Sequence, residues 1–300
     1  MYTLLEQAHL NAPRNLPSGP LLGASLLTAM DHPVPFRGHA IKYVLHGAER
    51  YTVNGRPFTI RGGHYLAANP HSTGRINIDS HRTVRGLCAD LPAALIDGMV
   101  AACTCPDDLD RATLGRFFNS AEFLENSYPG GATRTGALMH ALAIEVHADP
   151  HHPHTVQSGT YLRLAEAYVL DHQRLVPLLK RVKAARTSTR KEVLRGLERA
   201  KDLIRGHLDQ TIGVESMARE AGMSVFHFFR AFRSVHGTTP HQYHNDLRLE
   251  QAVGLLHAGE RPIADVAMRC GFPDKSAFSK AFKKKFGRSP SALIGGSGRI

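Results

Sequence analysis

The chain reads as an α+β protein of two domains. A small β-barrel or jelly roll with packed helices comes first, followed by an all-α domain in which two helix-turn-helix motifs are joined by a linker helix. Three observations predict this. Residues 36–90 hold short apolar segments with Gly and Pro between them, as small β folds do. Residues 212–294 contain one pattern twice. Charge is uneven: residues 1–175 carry 14 Lys+Arg against 15 Asp+Glu, and residues 176–300 carry 23 against 11, so the net +11 arises wholly in the second part.

Three hundred residues suit two domains, drawn here as 1–185 and 186–300. A neutral half joined to a strongly basic half fits a sensor joined to a polyanion binder. A basic membrane-surface protein is the rival, but the basic residues lie on short paired helices rather than on one amphipathic helix. There is no apolar run long enough to span a bilayer. The segment Met1–Glu6 lacks a basic and then apolar leader, so the expected place is the cytoplasm, without a membrane partner. Cys88, Cys103, Cys105 and Cys270 give no disulfide framework there. Cys103 and Cys105 are spaced wrongly for a zinc knuckle and read as buried thiols.

In chain order, a polar Pro-bearing stretch runs from Asn11 to Pro17, and Leu21–Leu27 is either a first strand or part of an N-terminal arm. Strands are expected at Ile41–Leu45, Arg50–Val53, Arg56–Ile60, His64–Ala68, Ile76–Ile78 and Thr83–Cys88. The Asn54-Gly55 pair between the second and third of these is the strongest short hairpin signal. A barrel of this size holds one small ligand. Tyr43, Tyr51, His64 and Arg75 are its polar candidates. Helices follow from Pro92 to Ala101, from about Thr133 to Val146 and from Gly159 to Leu170, with Asp108 capping a helix after the Cys103–Asp108 break. The two prolines of His147–His154 make that histidine-rich stretch a loop, and without an ordered scaffold it is no designed metal site. Lys183–Glu192 is basic and polar and reads as the linker; Glu192–Leu208 then has helical apolar spacing.

The repeat is the most informative feature. Phe228, Ala231, Phe232, Gly237 and Pro240 recur 50 positions later as Phe278, Ala281, Phe282, Gly287 and Pro290. Ala218 and Gly222 recur 49 positions later as Ala267 and Gly271. A repeat at this period is a structural unit used twice. Each unit reads as helix, tight turn, helix: Gly222 or Gly271 supplies a left-handed turn, and Ser224 or Asp274 caps the second helix. Basic residues stand at matching exposed positions, Arg230 with Lys280 and Arg233 with Lys283. Pro240–His257 lies between the units as a single helix.

Ile263–Ala267, Gly271-Phe272, Asp274, Ser276, Phe278-Ser279, Phe282-Lys283, Phe286-Gly287 and Ser289-Pro290 resemble the signature of the AraC/XylS family of bacterial transcription regulators. The resemblance covers about the last third of the chain. It implies a DNA-binding regulator rather than an enzyme, with a cupin-like effector-sensing and dimerisation domain at 1–185 and a double helix-turn-helix domain at 186–300. By the same resemblance the first recognition helix meets bases through Phe226, Phe229 and Arg230, and the second through Lys275, Ser276, Ala277, Ser279 and Lys280. Ser224, Arg233, Lys283 and Lys284 are phosphate candidates. The implied partners are double-stranded DNA, a small-molecule effector, a second copy of the chain, and RNA polymerase if the protein activates.

Two residues depart from the family pattern. Phe229 stands where a polar base reader is usual, and Leu293-Ile294 replaces a common Tyr-Arg. No metal and no cofactor is expected, because the histidine pair followed by Glu of metal-binding cupins is absent. The alternatives are a cupin-type metal enzyme with a DNA-binding tail and a ligand-free DNA-binding regulator. A DNA-repair methyl acceptor would need a clustered four-cysteine zinc site, which these cysteines do not form.

Overall fold

A computed structural model describes residues 2–9, 19–103, 109–152, 154, 156–259 and 262–295. The chain divides into two compact units, Met1–Pro177 and Leu178–Ile300. The Asn11–Pro17 stretch and Cys105 lie outside the described residues.

The first unit carries β1 (Tyr2–Glu6), β2 (Leu21–Pro35), β3 (His39–His46), β4 (Ala48–Val53), β5 (Arg56–Arg61), β6 (His64–Ala68), β7 (Thr73–Leu91) and β8 (Asn126–Pro129). These pair in the order β1-β2-β7-β3-β6-β8, with β4 joining β5 to β7. In place of the expected barrel or jelly roll, the described residues form a mixed sheet that is not closed, its pairing path ending at β1 and β8. One edge of β7 follows β2 along its length. The other edge is divided: Arg85–Leu91 pairs with β3 and Gly74–Asn77 with β4. The sheet therefore branches at β7. Its buried residues, among them Leu27, Val44, Tyr51, Ile60, Leu66 and Val84, form one core.

The hairpin forms where expected. Asn54 and Gly55 take φ of 49° and 77°, the left-handed pair that a tight two-residue turn demands. Asn54 also accepts from the Thr73 backbone N–H at 2.9 Å, which ties the turn to β7.

Three expectations are corrected, and the choice left open at Leu21–Leu27 falls to the strand. The strands placed at Ile76–Ile78 and Thr83–Cys88 are one strand with an irregularity between them, where the pairing slips from Leu27↔Val84 to Ala29↔Asp79. There Ser80 Oγ donates to the Arg82 carbonyl, and this polar kink imitates a break in the sequence. Leu21–Leu27 opens a strand that continues through two prolines to Pro35, and β1 pairs with it in parallel. Asp110 rather than Asp108 caps the helix after the break, accepting from the Thr113 N–H at 2.7 Å; Asp108 is outside the described residues. His147 belongs to a helix, not to the histidine-rich loop; it is buried, with Nε2 3.0 Å from the Gly86 carbonyl.

The helices of this unit are α1 (Ala93–Ala102), α2 (Arg111–Phe118), α3 (Arg134–Ala148) and α4 (Ser158–Gln173); α5 (Leu175–Arg181) spans the boundary. The second unit continues with α6 (Thr187–Arg205), α7 (Val214–Ala221), α8 (Val225–His236), α9 (Pro240–His257), α10 (Ile263–Arg269), α11 (Lys275–Phe286) and α12 (Pro290–Gly295). Most of the basic stretch 183–192 is therefore the start of α6. Its polarity reflects an exposed first turn, and no Pro or Gly interrupts it. No helix among the described residues is long and apolar enough to cross a membrane.

Candidate nucleic-acid interface and a cavity of the first unit

The two repeats share their turn to the level of single hydrogen bonds. α7 ends as the Gly222 N–H reaches the Arg219 carbonyl at 3.0 Å and the Met223 N–H reaches Ala218 at 2.9 Å. α10 ends identically, Gly271 to Met268 at 2.9 Å and Phe272 to Ala267 at 3.0 Å. Both glycines are left-handed, at φ 69° and 70°, so each turn closes a helix with the orphan carbonyls satisfied. α8 then starts on the Ser224 hydroxyl, which accepts from the His227 N–H at 3.3 Å, and α11 on Asp274, which accepts from Ala277 at 2.7 Å. Phe228 with Phe232, and Phe278 with Phe282, are fully buried and fix the rotation of each second helix.

That rotation decides what faces out. On α8, Phe226 is 72% exposed and Phe229 37%, and Arg230 and Arg233 are exposed; Ser224 is exposed just before the helix. The Arg230 guanidinium lies 5.4 Å from the Phe226 ring centre. Phe229, the departure from the family pattern, lines a groove with Arg230, Arg233, Val182 and Val193. On α11, Lys275, Ser276, Lys280, Lys283 and Lys284 are exposed, and Ala277 and Ser279 are half-buried. All twelve residues expected at DNA thus belong to, or immediately precede, the second helix of a repeat. Lys285 is different: it donates to the Asp246 carbonyl at 2.9 Å and to Glu250 Oε1 at 2.9 Å, which ties α11 to α9. Leu293 is buried against α9, α10 and α11, so it serves the core of the second repeat.

The first unit carries a half-open cavity of about 180 Å³ lined from β1, β2, β3, β4 and β7. Of the four expected ligand residues, Tyr43 and Tyr51 line it. The Tyr43 hydroxyl lies 2.7 Å from His140 Nδ1 of α3, and the Tyr51 hydroxyl donates to Glu49 Oε2 at 2.7 Å. His64 and Arg75 are not in the lining. His64 Nδ1 is 3.4 Å from the Gly62 carbonyl, and Arg75 pairs with Asp31 on the surface. Lys42, Glu49, Cys88 and Asp90 also line the cavity, and the sequence reading did not single them out. Lys42 and Cys88 are direct cross-strand partners, and Lys42 donates to Cys88 Sγ and to Asp90 at 3.5 Å. Burial opposes the Lys42 ammonium, but Asp90 and Cys88 outweigh it and hold its pKa above the usual lysine value. Burial, reinforced by Asp90, pushes the Cys88 thiol up to about 12, so it stays protonated. No group of three or more His, Cys, Asp or Glu among the described residues is arranged to hold a metal ion.

A family profile described as "Helix-turn-helix domain" matches residues 217–295. The regulatory protein SoxS of Salmonella typhimurium is 36% identical over 85 residues, 28% of this chain and 79% of SoxS. The chain belongs to the AraC/XylS family. The part of the chain that shows this is the helix-turn-helix domain at its C-terminal end. The probable transcriptional regulator LumQ of Photobacterium leiognathi is 38% identical over 88 residues, and the match spans 29% of this chain and 36% of LumQ's length. The DNA-binding domain of AdpA, solved with a target DNA, is 34% identical at a TM-score of 0.33, covering 34% of this chain and 91% of that one.

Proposed function

We propose that this AraC-type regulator reads two adjacent major-groove segments of one operator and is controlled by a small molecule held in a cupin-like domain at 1–185. The observation that carries the reading is the duplicated unit, with α8 and α11 rotated alike by their buried Phe pairs, α8 exposing Arg230 and Arg233 beside Phe226 and Phe229, and α11 exposing Lys275, Lys280, Lys283 and Lys284. Base contacts come from Phe226, Phe229 and Arg230 on α8, and from Lys275, Ser276, Ala277, Ser279 and Lys280 on α11. Arg230 and Lys280 suit the guanine edge, and Phe226 and Phe229 suit thymine methyls. Ser224, Arg233, Lys283 and Lys284 meet phosphates, which position the protein without reading sequence. α9 has 18 residues, a length of about 27 Å at helical rise. With helix widths added, this suits reading heads one turn of B-DNA, about 34 Å, apart.

The cavity supports an effector site, with Tyr43 and Tyr51 in its wall. The domain at 186–300 is separable, the molecule acts as a homodimer in the cytoplasm, and an activating member meets RNA polymerase at the promoter. The test is binding to randomised operators at two salt concentrations. Arg230→Ala is expected to cost about 1–3 kcal/mol and to relax one base pair. Lys280→Ala is expected to act more modestly, one turn away. Lys284→Ala is expected to weaken all sequences alike and to lower the salt slope by about one. If Arg230→Ala weakens every sequence equally, Arg230 is a phosphate contact. If no variant changes binding, the two-headed reading fails.

A further inference from the structure

Charge inside the cavity of the first unit does not balance. Lys42 and Asp90 pair at 3.5 Å. Glu49 is left over. It is 3% exposed and belongs to the cavity wall. Tyr51 donates to its Oε2 at 2.7 Å, and Oε1 receives no hydrogen bond among the described residues. Gly86 makes room for that oxygen: a Cβ there would lie 2.6 Å from Glu49 Oε1 and 2.5 Å from Ser25 Oγ. A carboxylate oxygen and a hydroxyl thus converge over a bare backbone, while Leu27, Met30, Val34 and Leu87 supply an apolar part of the wall. About 180 Å³ far exceeds the roughly 10–15 Å³ that one ordered water needs.

An ionised, buried carboxylate costs several kcal/mol unless a cation or several donors meet it. We propose that the cavity takes a small organic ammonium with a short apolar tail, the ammonium on Glu49 Oε1 and Ser25 Oγ and the tail against Leu27, Met30 and Leu87. This deepens the reading of the first unit as a sensor and rests on it only for the consequence at DNA. An anionic ligand is disfavoured, since the one ammonium among the described wall residues is already held by Asp90 and a second carboxylate would face Glu49. Burial raises the Glu49 pKa to about 7, against the Tyr51 hydrogen bond and the nearby Lys42. The other polar groups of the wall are Thr3 of β1, Ser25 of β2, Tyr43 of β3, and Cys88 and Asp90 of β7. A bound ammonium therefore drives Glu49 fully to the carboxylate.

The experiment uses the full chain and three isosteric probes, pentylamine, pentanol and pentanoate, with calorimetry and thermal melting as readouts. The expected order of affinity is amine, alcohol, carboxylate, with pentylamine at least tenfold tighter than pentanoate. Glu49→Gln keeps the shape and the Tyr51 contact; it is expected to weaken pentylamine at least tenfold and pentanol less than twofold. The order across probes in the unmutated protein stands as a test even if the variant does not fold. Pentanoate binding tighter than pentylamine, unchanged amine binding in Glu49→Gln, or no binding of any probe overturns the proposal. Amine binding that leaves affinity for a selected DNA site unchanged keeps the cation site and overturns its role as a sensor.

Discussion

The two helix-turn-helix repeats have the same turns and the same buried Phe pairs, yet they are anchored differently. In the first, Arg199 of α6 reaches across to α7, its Nε donating to the Glu220 carbonyl at 3.1 Å and its Nη2 to Ala221 at 3.2 Å. The residue 49 positions later is Arg248 of α9, and its Nε instead donates to the Leu208 carbonyl at 3.0 Å, beyond the end of α6. Val235 closes the core of the first repeat, fully buried. Its counterpart Lys285 is a pin between α11 and α9. His236, packed 4.6 Å from Phe232, is answered by Phe286 at 4.6 Å from Phe282. The two copies share what the local geometry of a helix-turn-helix requires, whereas the residues that fasten each to its support differ.

The turn glycines give the largest expected asymmetry. A Cβ on Gly271 would lie 2.6 Å from Arg248 Nη2 and 2.9 Å from the Asp209 backbone; on Gly222 the only neighbour is Arg199 Nη2 at 3.5 Å. Both sites carry the left-handed penalty, but only the second displaces a buried guanidinium. Gly271→Ala is therefore expected to cost about 3 kcal/mol and Gly222→Ala about 1. Denaturant titration with hydrogen exchange read on α10 and α7 distinguishes them, and equal losses would contradict the difference in packing.

At the next position of contrast, Val235→Ala removes buried methyls and is expected to cost about 2–3 kcal/mol. Lys285→Ala removes a half-exposed pin and is expected to cost about 1 kcal/mol. A larger loss at Lys285 would make the α9 tie the main support of the second repeat. Because Lys285 is committed to α9, its replacement is expected to leave the salt slope of DNA binding unchanged, unlike Lys284→Ala.

Acid is expected to act on the first repeat through His236. Burial, followed by Lys201, lowers the His236 pKa from 6.5 to about 4, with Glu198 opposing and Arg205 and Arg181 adding to the repulsion. The folded state then binds fewer protons than the unfolded one between these values. The stability contribution is complete above pH 6.5 and is lost as pH falls toward 4. From pH 6.5 to 5 His236 is expected to withdraw about 1.5 kcal/mol, partly offset by Asp202, whose pKa burial raises to about 6, while the second repeat has Phe286 at this position and no matching loss there. His236→Phe is expected to flatten the profile, and an unchanged profile would assign the acid sensitivity elsewhere.

The helix-turn-helix repeats, their caps and the Asn54-Gly55 hairpin were legible because each is written within a few neighbouring residues: a left-handed glycine, a capping side chain, an aromatic pair at helical spacing. The sequence by itself therefore determined the two helix-turn-helix units, the faces they expose and the basic character of that half. The reach of β7 was hidden because Ser80 and Arg82 satisfy each other locally and look like a turn, while long-range pairing with β2 keeps the strand going. β1 and β8 were missed because their partners, Leu22–Leu26 and His64–Ala67, lie distant in sequence. The cavity depended on tertiary structure most of all. Lys42 and Glu49 read as ordinary charged residues on strands until sheet register sets Lys42 beside Cys88 and Glu49 over Gly86. Side-chain alternation says which residues share a face of one strand, but only the pairing of separate strands decides which faces meet.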